Sequence, residues 1–352
     1  MDPDPFQYTD KPDLSKGEDE LVELHPDGDV VLVVGDHKYD LQRQLLIHSK
    51  VLAIASPCFA TLFGSVFQEG RTAKQESFPR IKLEEDDAGG MKVILYLLHF
   101  KSKDEYKNIE PRVLPLIARA SDKYGCSTAL SPWIFRWLHD TPEPSSPDEH
   151  GYLLVAAYLF GATDHWRSIS TKAVKQMAPA LGRRGRITKS YPFCLNISKR
   201  KEALEKEISS KLDLLQDEMG KVEGVLQSDV AAYKKDPLLC LECGRLHPGG
   251  SKQCQPCKNM SLHGSFCTAQ SRVAEDFDIL RRNELWPSVA PFRTGTITSI
   301  GNQLSGLNLD KHWCGAGPIC PLKVNVYSLS TRTNRIIRNI EGINMKDDSA
   351  LA

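Results

Sequence analysis

The chain has 352 residues, more than one ordinary domain, so about two or three folded units are expected. Its 45 basic and 45 acidic residues cancel, which excludes a global field that would draw it to nucleic acid or an anionic membrane; any such binding has to be local. The opening MDPDPFQYTDKPDLSKGEDE is acidic and Pro-rich, unlike a signal or transit peptide, and no run approaches the roughly 18 apolar residues of a membrane span. A soluble intracellular protein, in the cytoplasm or the nucleus, is the expectation, and in that reducing setting clustered cysteines point to metal before disulfides.

Residues 1–26 read as a disordered arm with a short ordered piece at Glu20-Leu21-Val22-Glu23-Leu24. The first compact unit, 27–140, begins at the turn Asp27-Gly28-Asp29 and releases into VVLVV, a β-branched run typical of a buried strand. Gly35-Asp36 is read as a hairpin turn with Lys38-Tyr39-Asp40-Leu41 returning. From His48 the pattern becomes helical, with Val51, Leu52 and Ala55 on one face. Ser56-Pro57 starts a second helix as cap and first-turn residue; Phe59, Leu62 and Phe63 form its stripe, and it closes at Phe67-Gln68-Glu69. A third strand is expected around Ile81 and Leu83, then an apolar helix over Met91 to Phe100. The helix through Val113–Ala118 stops at Lys123-Tyr124-Gly125, a cation in the last turn with glycine beyond it. Ser131-Pro132 is expected to cap a helix whose Trp133 and Trp137 pack in the core.

The Pro/Ser segment TPEPSSPD marks the expected start of a linker and helical extension over 141–198, with helices at Tyr152–Phe160 and Asp164–Met177. Arg183, Arg184, Arg186 and Lys189 form a basic loop, read first as solvated linker. Over 199–236 runs a long amphipathic helix with Leu204, Ile208, Leu212, Leu215, Met219, Val222, Leu226 and Val230 spaced by threes and fours. That stripe suits a coiled coil of about four heptads, or packing on the preceding helices.

The region 237–345 is Cys-rich, and 346–352 is a tail. Cys240-Leu-Glu-Cys243 and Cys254-Gln-Pro-Cys257 are two C-x-x-C knuckles joined by a segment whose glycines and proline let the chain fold back. Zinc takes four soft or imidazole ligands at tetrahedral angles, and each knuckle delivers two thiolates, so these four are the candidate ligands of a structural zinc ion. A Cys₄ shell leaves no position for water and therefore no catalytic role. The spacing is similar to the Ran-binding-protein type of zinc finger, but Leu238 and His247 stand where that family has Trp and Asn, so its binding roles are not carried over. His263, Cys267, His312, Cys314 and Cys320 could build a second site or exchange with the first, the Gly-rich turn before Cys320 allowing convergence. KVNVYSL, over Lys323–Leu329, alternates like a strand, which predicts a small β-containing module.

In order, Asp29-Val-Val-Leu-Val-Val34, Ile47-His48, Val51-Leu52, Ser56-Pro57 with Phe59, and Ala120-Ser-Asp-Lys-Tyr-Gly125 resemble the BTB/POZ domain over about residues 27–140. The later order, KYG, a Trp-bearing helix, then YLLVAAYLFGA, is similar to fungal BTB proteins of unassigned role. The resemblance implies an α+β fold, a helical cluster with a short sheet, serving dimerisation, co-regulator recruitment or substrate presentation to cullin-type ubiquitin ligases. Cullin-binding members carry an apolar residue, any residue, then Glu after the second helix, which Phe67-Gln68-Glu69 matches. Phe63, Phe67, Glu69, Asp29 and Lys50 are the partner-binding candidates on that reading. In dimeric members an acidic first-strand residue pairs with a basic residue directly after the motif His; Asp29 matches, but Ser49 holds the basic position and Lys50 follows. His48 itself reads as a packed, hydrogen-bonded core histidine.

The expected function is a non-enzymatic adaptor, a cullin-ligase substrate receptor in one form, with homodimerisation as a further property and no membrane partner. The alternative is a transcriptional or chromatin regulator, suggested by the zinc candidate and the Arg183–Arg186 patch, with nucleic-acid contact confined to those parts. No G-x-S-x-G, G-x-x-x-x-G-K, H-E-x-x-H or dinucleotide fingerprint occurs, so an enzyme is not expected.

Overall fold

A computed structural model describes residues 21–35, 42–64, 79–179, 195–227, 238–240, 242–243, 245–248, 250–260, 262–264, 267–287, 289–309 and 312–345. The chain is mixed α+β and divides into two compact units: residues 1–173, 185–203 and 342–352 form the first, and 174–184 with 204–341 the second.

The first unit is built on a four-stranded sheet in the order β1-β3-β2-β4, with β1 Val22–Glu23, β2 Val30–Val34, β3 Arg43–Ile47 and β4 Arg80–Leu83. All five residues of VVLVV in β2 are buried, so its continuous apolar run reflects burial on both faces. Its antiparallel partner is β3, with Val30 opposite Ile47 and Val34 opposite Arg43, while β4 joins in parallel with Leu32 opposite Ile81. The return strand is therefore Arg43–Ile47; the expected Lys38–Leu41 return lies outside the described residues.

Helices α1 Ser49–Ala55 and α2 Pro57–Leu62 begin at the expected start signals, but α2 ends at Leu62 with Phe63 as its C-cap, short of the close expected at Phe67-Gln68-Glu69. His48 caps α1, its ring accepting from the Lys50 amide, and Ser56 caps α2 with Pro57 in the first turn. Leu52 and Phe59 are buried as expected, with Ala55, Leu62 and Phe63 packed against the core from its margin. Helix α3 Ala88–Leu98 is capped by Asp87, whose carboxylate accepts the Gly90 amide at 2.7 Å. It packs on α4 Leu114–Tyr124 closely enough that a Cβ at Gly90 would lie 3.0 Å from the Leu116 backbone. Helix α4 ends at Gly125, whose φ of 63° places it in the left-handed region that glycine enters without penalty.

Helix α5 Ser131–His139 differs at its start: Leu130 is the cap residue and Ser131 already lies in the first turn, so the hydroxyl makes no cap bond. Both tryptophans pack as expected, Trp137 fully and Trp133 at the margin. The Pro/Ser segment then runs directly into α6 Pro147–Leu159, capped by Ser146, and α7 Thr163–Gln176. Leu153, Ala156, Ala157, Phe160, Trp166 and Ile169 of these helices join the same apolar core as the sheet and α3. The segment near the C-terminus returns to this unit: the Trp166 indole donates to the Ile343 carbonyl at 2.8 Å, and the Ile343 amide donates to the Ser170 hydroxyl at 2.9 Å.

The long helix, α8 Leu195–Leu226, belongs to the second unit from Leu204 on, and that part carries the expected stripe. Leu204, Ile208, Leu212, Leu215, Met219, Val222 and Leu226 are all buried within the single chain, and Val230 lies outside the described residues. A three-stranded sheet in the order β6-β5-β7 follows, with β5 Leu238–Cys240, β6 Leu246–His247 and β7 Leu262–Gly264. The remainder is helical: α9 Ala269–Arg282, α10 Val289–Thr294, α11 Ile297–Ser305 and α12 Pro321–Arg338.

Helix α12 corrects the strand expected over Lys323–Leu329. Within the full helix the buried positions are Leu322, Val326, Leu329 and Thr333, a spacing of four, three and four, whereas Val324 and Tyr327 are exposed. The local alternation of KVNVYSL is a coincidence of composition; the longer period of burial is helical. The strands of this region are β5–β7 alone among the described residues.

Candidate metal centres and candidate partner surface

The first knuckle is the turn of a hairpin. β5 and β6 pair antiparallel, with Leu239 opposite Leu246, and the Cys240 amide donates to the Arg245 carbonyl at 3.0 Å. The second knuckle closes on itself, the Lys258 amide donating to the Cys254 carbonyl at 2.8 Å and the Cys254 amide to the Asn259 carbonyl at 2.7 Å. Lys258 takes a left-handed φ of 62° and Gly250, between the knuckles, one of 90°, so the reversals demand backbone that few residues adopt readily.

These turns bring Cys240, Cys243, Cys254 and Cys257 together with all four sulfurs within 4.8 Å of one another. Cys240 and Cys257 are 3.4 Å apart, as are Cys243 and Cys254. Four sulfurs each about 2.3 Å from a zinc ion stand about 3.8 Å from one another, so this set fits a tetrahedral shell. The Cys243 amide, aimed at the Cys240 sulfur, leads a set of hydrogen bonds that draws that thiol down to about 6 against the opposing effect of burial, while burial pushes the neighbouring Cys254 thiol up.

A second group gathers Cys267, His312, Cys314 and Cys320, again within 4.8 Å of one another. Cys267 and Cys320 sulfurs lie 3.6 Å apart, and His312 Nε2 is 3.3 Å from the Cys320 sulfur. His263 lies on β7 opposite Leu239, and its side chain is outside the described part of the structure. The two groups are consecutive along the chain, and no residue is shared between them.

Beside the second group lies Arg272 on α9, 2% exposed. Its guanidinium donates to the Leu226 carbonyl at the end of α8 through Nε at 3.2 Å and Nη2 at 3.1 Å, and to the Cys267 carbonyl through Nη1 at 3.1 Å. Sequence reasoning missed Arg272, because an arginine one turn into an amphipathic helix has no pattern that separates it from a solvated one.

Asp276, one turn further along α9, is also buried. Burial pushes its carboxyl up to about 6, with the charge of Glu223 adding to the effect. A carboxyl raised in the folded state stabilises below its unfolded value near 3.8, and that contribution is lost as pH rises through about 6. Asp276→Asn is therefore expected to stabilise the second unit by on the order of 2 kcal/mol above pH 7 and by little near pH 4, as read by urea denaturation at both pH values.

In the first unit, Asp29 is engaged at short range. Its carboxylate accepts the Ser49 amide at 2.6 Å and the Ser49 hydroxyl at 2.7 Å, so Ser49 occupies it within the chain. Lys50 is exposed and its amide donates to His48 Nδ1 at 3.3 Å. The His48 amide in turn donates to His99 Nε2 at 3.1 Å, while His99 Nδ1–H donates to the Leu95 carbonyl at 2.8 Å; these two partners require a neutral ring, and burial holds the His99 pKa down. His99 has no sequence signal, since its role depends on α3 meeting the start of α1.

Ser56 and Tyr124 join α2 to α4, the Ser56 hydroxyl donating to the Tyr124 carbonyl and the Phe59 ring stacking on Tyr124 at 4.5 Å. Phe63 continues the stack at 5.8 Å from Phe59, half-buried at the end of α2. Phe67, Glu69 and the basic residues at 183–189 lie outside the described residues. On α1, Ile54 projects an apolar side chain that is 89% exposed.

No helix among the described residues is long and apolar enough to cross a membrane. Compared with protein-family models and with curated proteins, the chain finds no match in either.

Proposed function

We propose that the chain is a non-enzymatic adaptor whose first unit is a BTB/POZ-like protein-binding unit, with zinc at Cys240, Cys243, Cys254 and Cys257 organising part of the second. The observation that carries the reading is the meeting of residues distant in sequence: Asp29 with Ser49, Ser56 and Phe59 with Tyr124, and the His48 amide with His99. Segments that resemble the family one by one thus form one contiguous packing arrangement around α1 and α2. With the Asp29 carboxylate held by Ser49, a charged dimer contact to Lys50 gains no support, whereas exposed Ile54 and half-buried Phe63 offer apolar contact area at α1 and the end of α2. The metal site is structural on this reading, because four cysteine ligands close the shell to water.

The partner is proposed to be a cullin-type scaffold, seated by the end of α2 and the Phe67-Gln68-Glu69 motif. Co-purification of the scaffold with the full chain is expected to fall at least about tenfold in the Phe67→Ala, Glu69→Ala double variant, the loss expected when an interface anchor is removed. Undiminished co-purification would sink this partner. Fold alone does not name a partner, so the motif carries the choice. The second reading, a transcriptional or chromatin regulator, predicts salt-dependent retention of the full chain on DNA, and its absence would remove that reading.

A further inference from the structure

We propose that Cys267, His312, Cys314 and Cys320 form a second structural zinc site, and that buried Arg272 serves it as a charge-balancing and positioning residue tying the metal to the end of α8. The site does not depend on the adaptor reading and would stand if no cullin-type scaffold were bound.

Its donors are a set that zinc prefers: three sulfurs and one imidazole nitrogen, with separations of 3.6 Å and 3.3 Å for the two measured edges and none beyond 4.8 Å. With zinc about 2.3 Å from sulfur and about 2.0 Å from nitrogen, the edges of the tetrahedron are about 3.5–3.8 Å. The burial is deep, Cys314 being 5% exposed and Cys320 fully enclosed. Two helix starts converge here. Cys320 is the cap residue of α12, and Cys267 directly precedes Thr268, the cap of α9, so both cysteines stand at the starts, the positive ends, of helices of 18 and 14 residues. Gly317, with a left-handed φ of 58°, makes the reversal between Cys314 and Cys320 that closes the set.

Charge supports the same assignment. Three thiolates and a neutral imidazole around a divalent ion leave one net negative charge in a buried place. Arg272 supplies one positive charge from within the protein, its Nη1 standing 4.0 Å from the Cys267 sulfur as well as bonding the Cys267 carbonyl. The other edge of the same guanidinium holds the Leu226 carbonyl, where α8 ends. Groups that hold a ligand from behind in this way set its orientation and the strength of metal binding. Metal at this site therefore fastens three segments, the starts of α9 and α12 and the 312–314 loop, and through Arg272 the end of α8.

Native mass spectrometry of the zinc-loaded full chain tests this. Two zinc ions per chain are expected, one for each group. Cys254→Ser and Cys320→Ser should each retain one ion, and hydrogen exchange at residues 220–226 should rise in Cys320→Ser and not in Cys254→Ser. Arg272→Gln keeps every ligand, so it should still bind both ions but release one to a chelator with about 10- to 100-fold weaker affinity. Cobalt substitution gives an independent reading should Cys320→Ser fail to fold: the spectrum of the Cys254→Ser chain should be that of three sulfurs and one nitrogen. A single zinc in the wild-type chain, a Cys267–Cys320 disulfide in its place, or chelator affinity unchanged by Arg272→Gln would overturn the proposal.

Discussion

A Cys254→Ser chain is expected to lose one zinc ion and, with it, the order of the whole 238–264 segment, while the first unit stays folded. The reason is the poverty of apolar support there. Strands β5, β6 and β7 have three, two and three residues, and among the described side chains at the knuckles the buried ones are Cys240 and Cys254. Isolated ladders of that length are marginal in water, so the segment depends on what its thiolates bind. Structural zinc can supply folding free energy on the order of 10 kcal/mol, which exceeds any other single contribution available to so short a sheet. Limited proteolysis with metal analysis reads the result: cleavage within 238–264 should become fast in the variant and in chelator-treated wild type alike. Equal protease resistance with and without metal would mean that the fold of this segment owes little to the ion.

The second large effect is expected in the first unit at Trp137. This side chain is 2% exposed, lies beside Phe160 with ring centres 6.2 Å apart, and donates from its indole nitrogen to the Tyr106 carbonyl at 2.8 Å. Trp137→Ala should cost about 3–5 kcal/mol, the range for emptying a buried aromatic site, with the orphaned Tyr106 carbonyl pushing toward the upper end. Trp133, one turn earlier and only partly buried, should cost about half as much when changed to Ala. Denaturant unfolding of the two variants separates them, and equal losses would contradict the placement of Trp137 as the anchor of α5 against the 3₁₀ turn at Asp104–Tyr106.

Where the fold was legible, local chemistry dictated it. His48, Ser56-Pro57 and Gly125 are stop and start signals whose effect is complete within one turn, and each marks a helix boundary in the structure. The stripe of α8 was equally clear, because seven buried positions repeat with one period. Legibility failed where a decision depends on distant residues. Arg43–Ile47, which carried no strand signal, pairs antiparallel with β2, and its register is a tertiary choice that the Gly35-Asp36 turn signal does not determine. Lys323–Leu329 alternates over seven residues, yet burial across all of α12 makes it helical.

The metal groups divide in the same way. A C-x-x-C pair carries its geometry in its spacing, so the first site was readable as four named cysteines. In the second, Cys267 is separated from His312, Cys314 and Cys320 by three helices, and only the packed chain brings it to them. Arg272 and His99 act through carbonyls and amides presented by other segments, Leu226 for one and His48 for the other. No sequence spacing encodes such partners.

The adaptor account rests most heavily on the surface where α1 and α2 meet. Hydrogen exchange of the full chain, measured alone and with a saturating cullin-type scaffold, tests that surface directly. The account predicts new protection concentrated within Ser49–Phe63 and the following 65–70 segment, lost in the Phe67→Ala, Glu69→Ala variant. Protection confined to residues 204–341, or none at saturation, would contradict it.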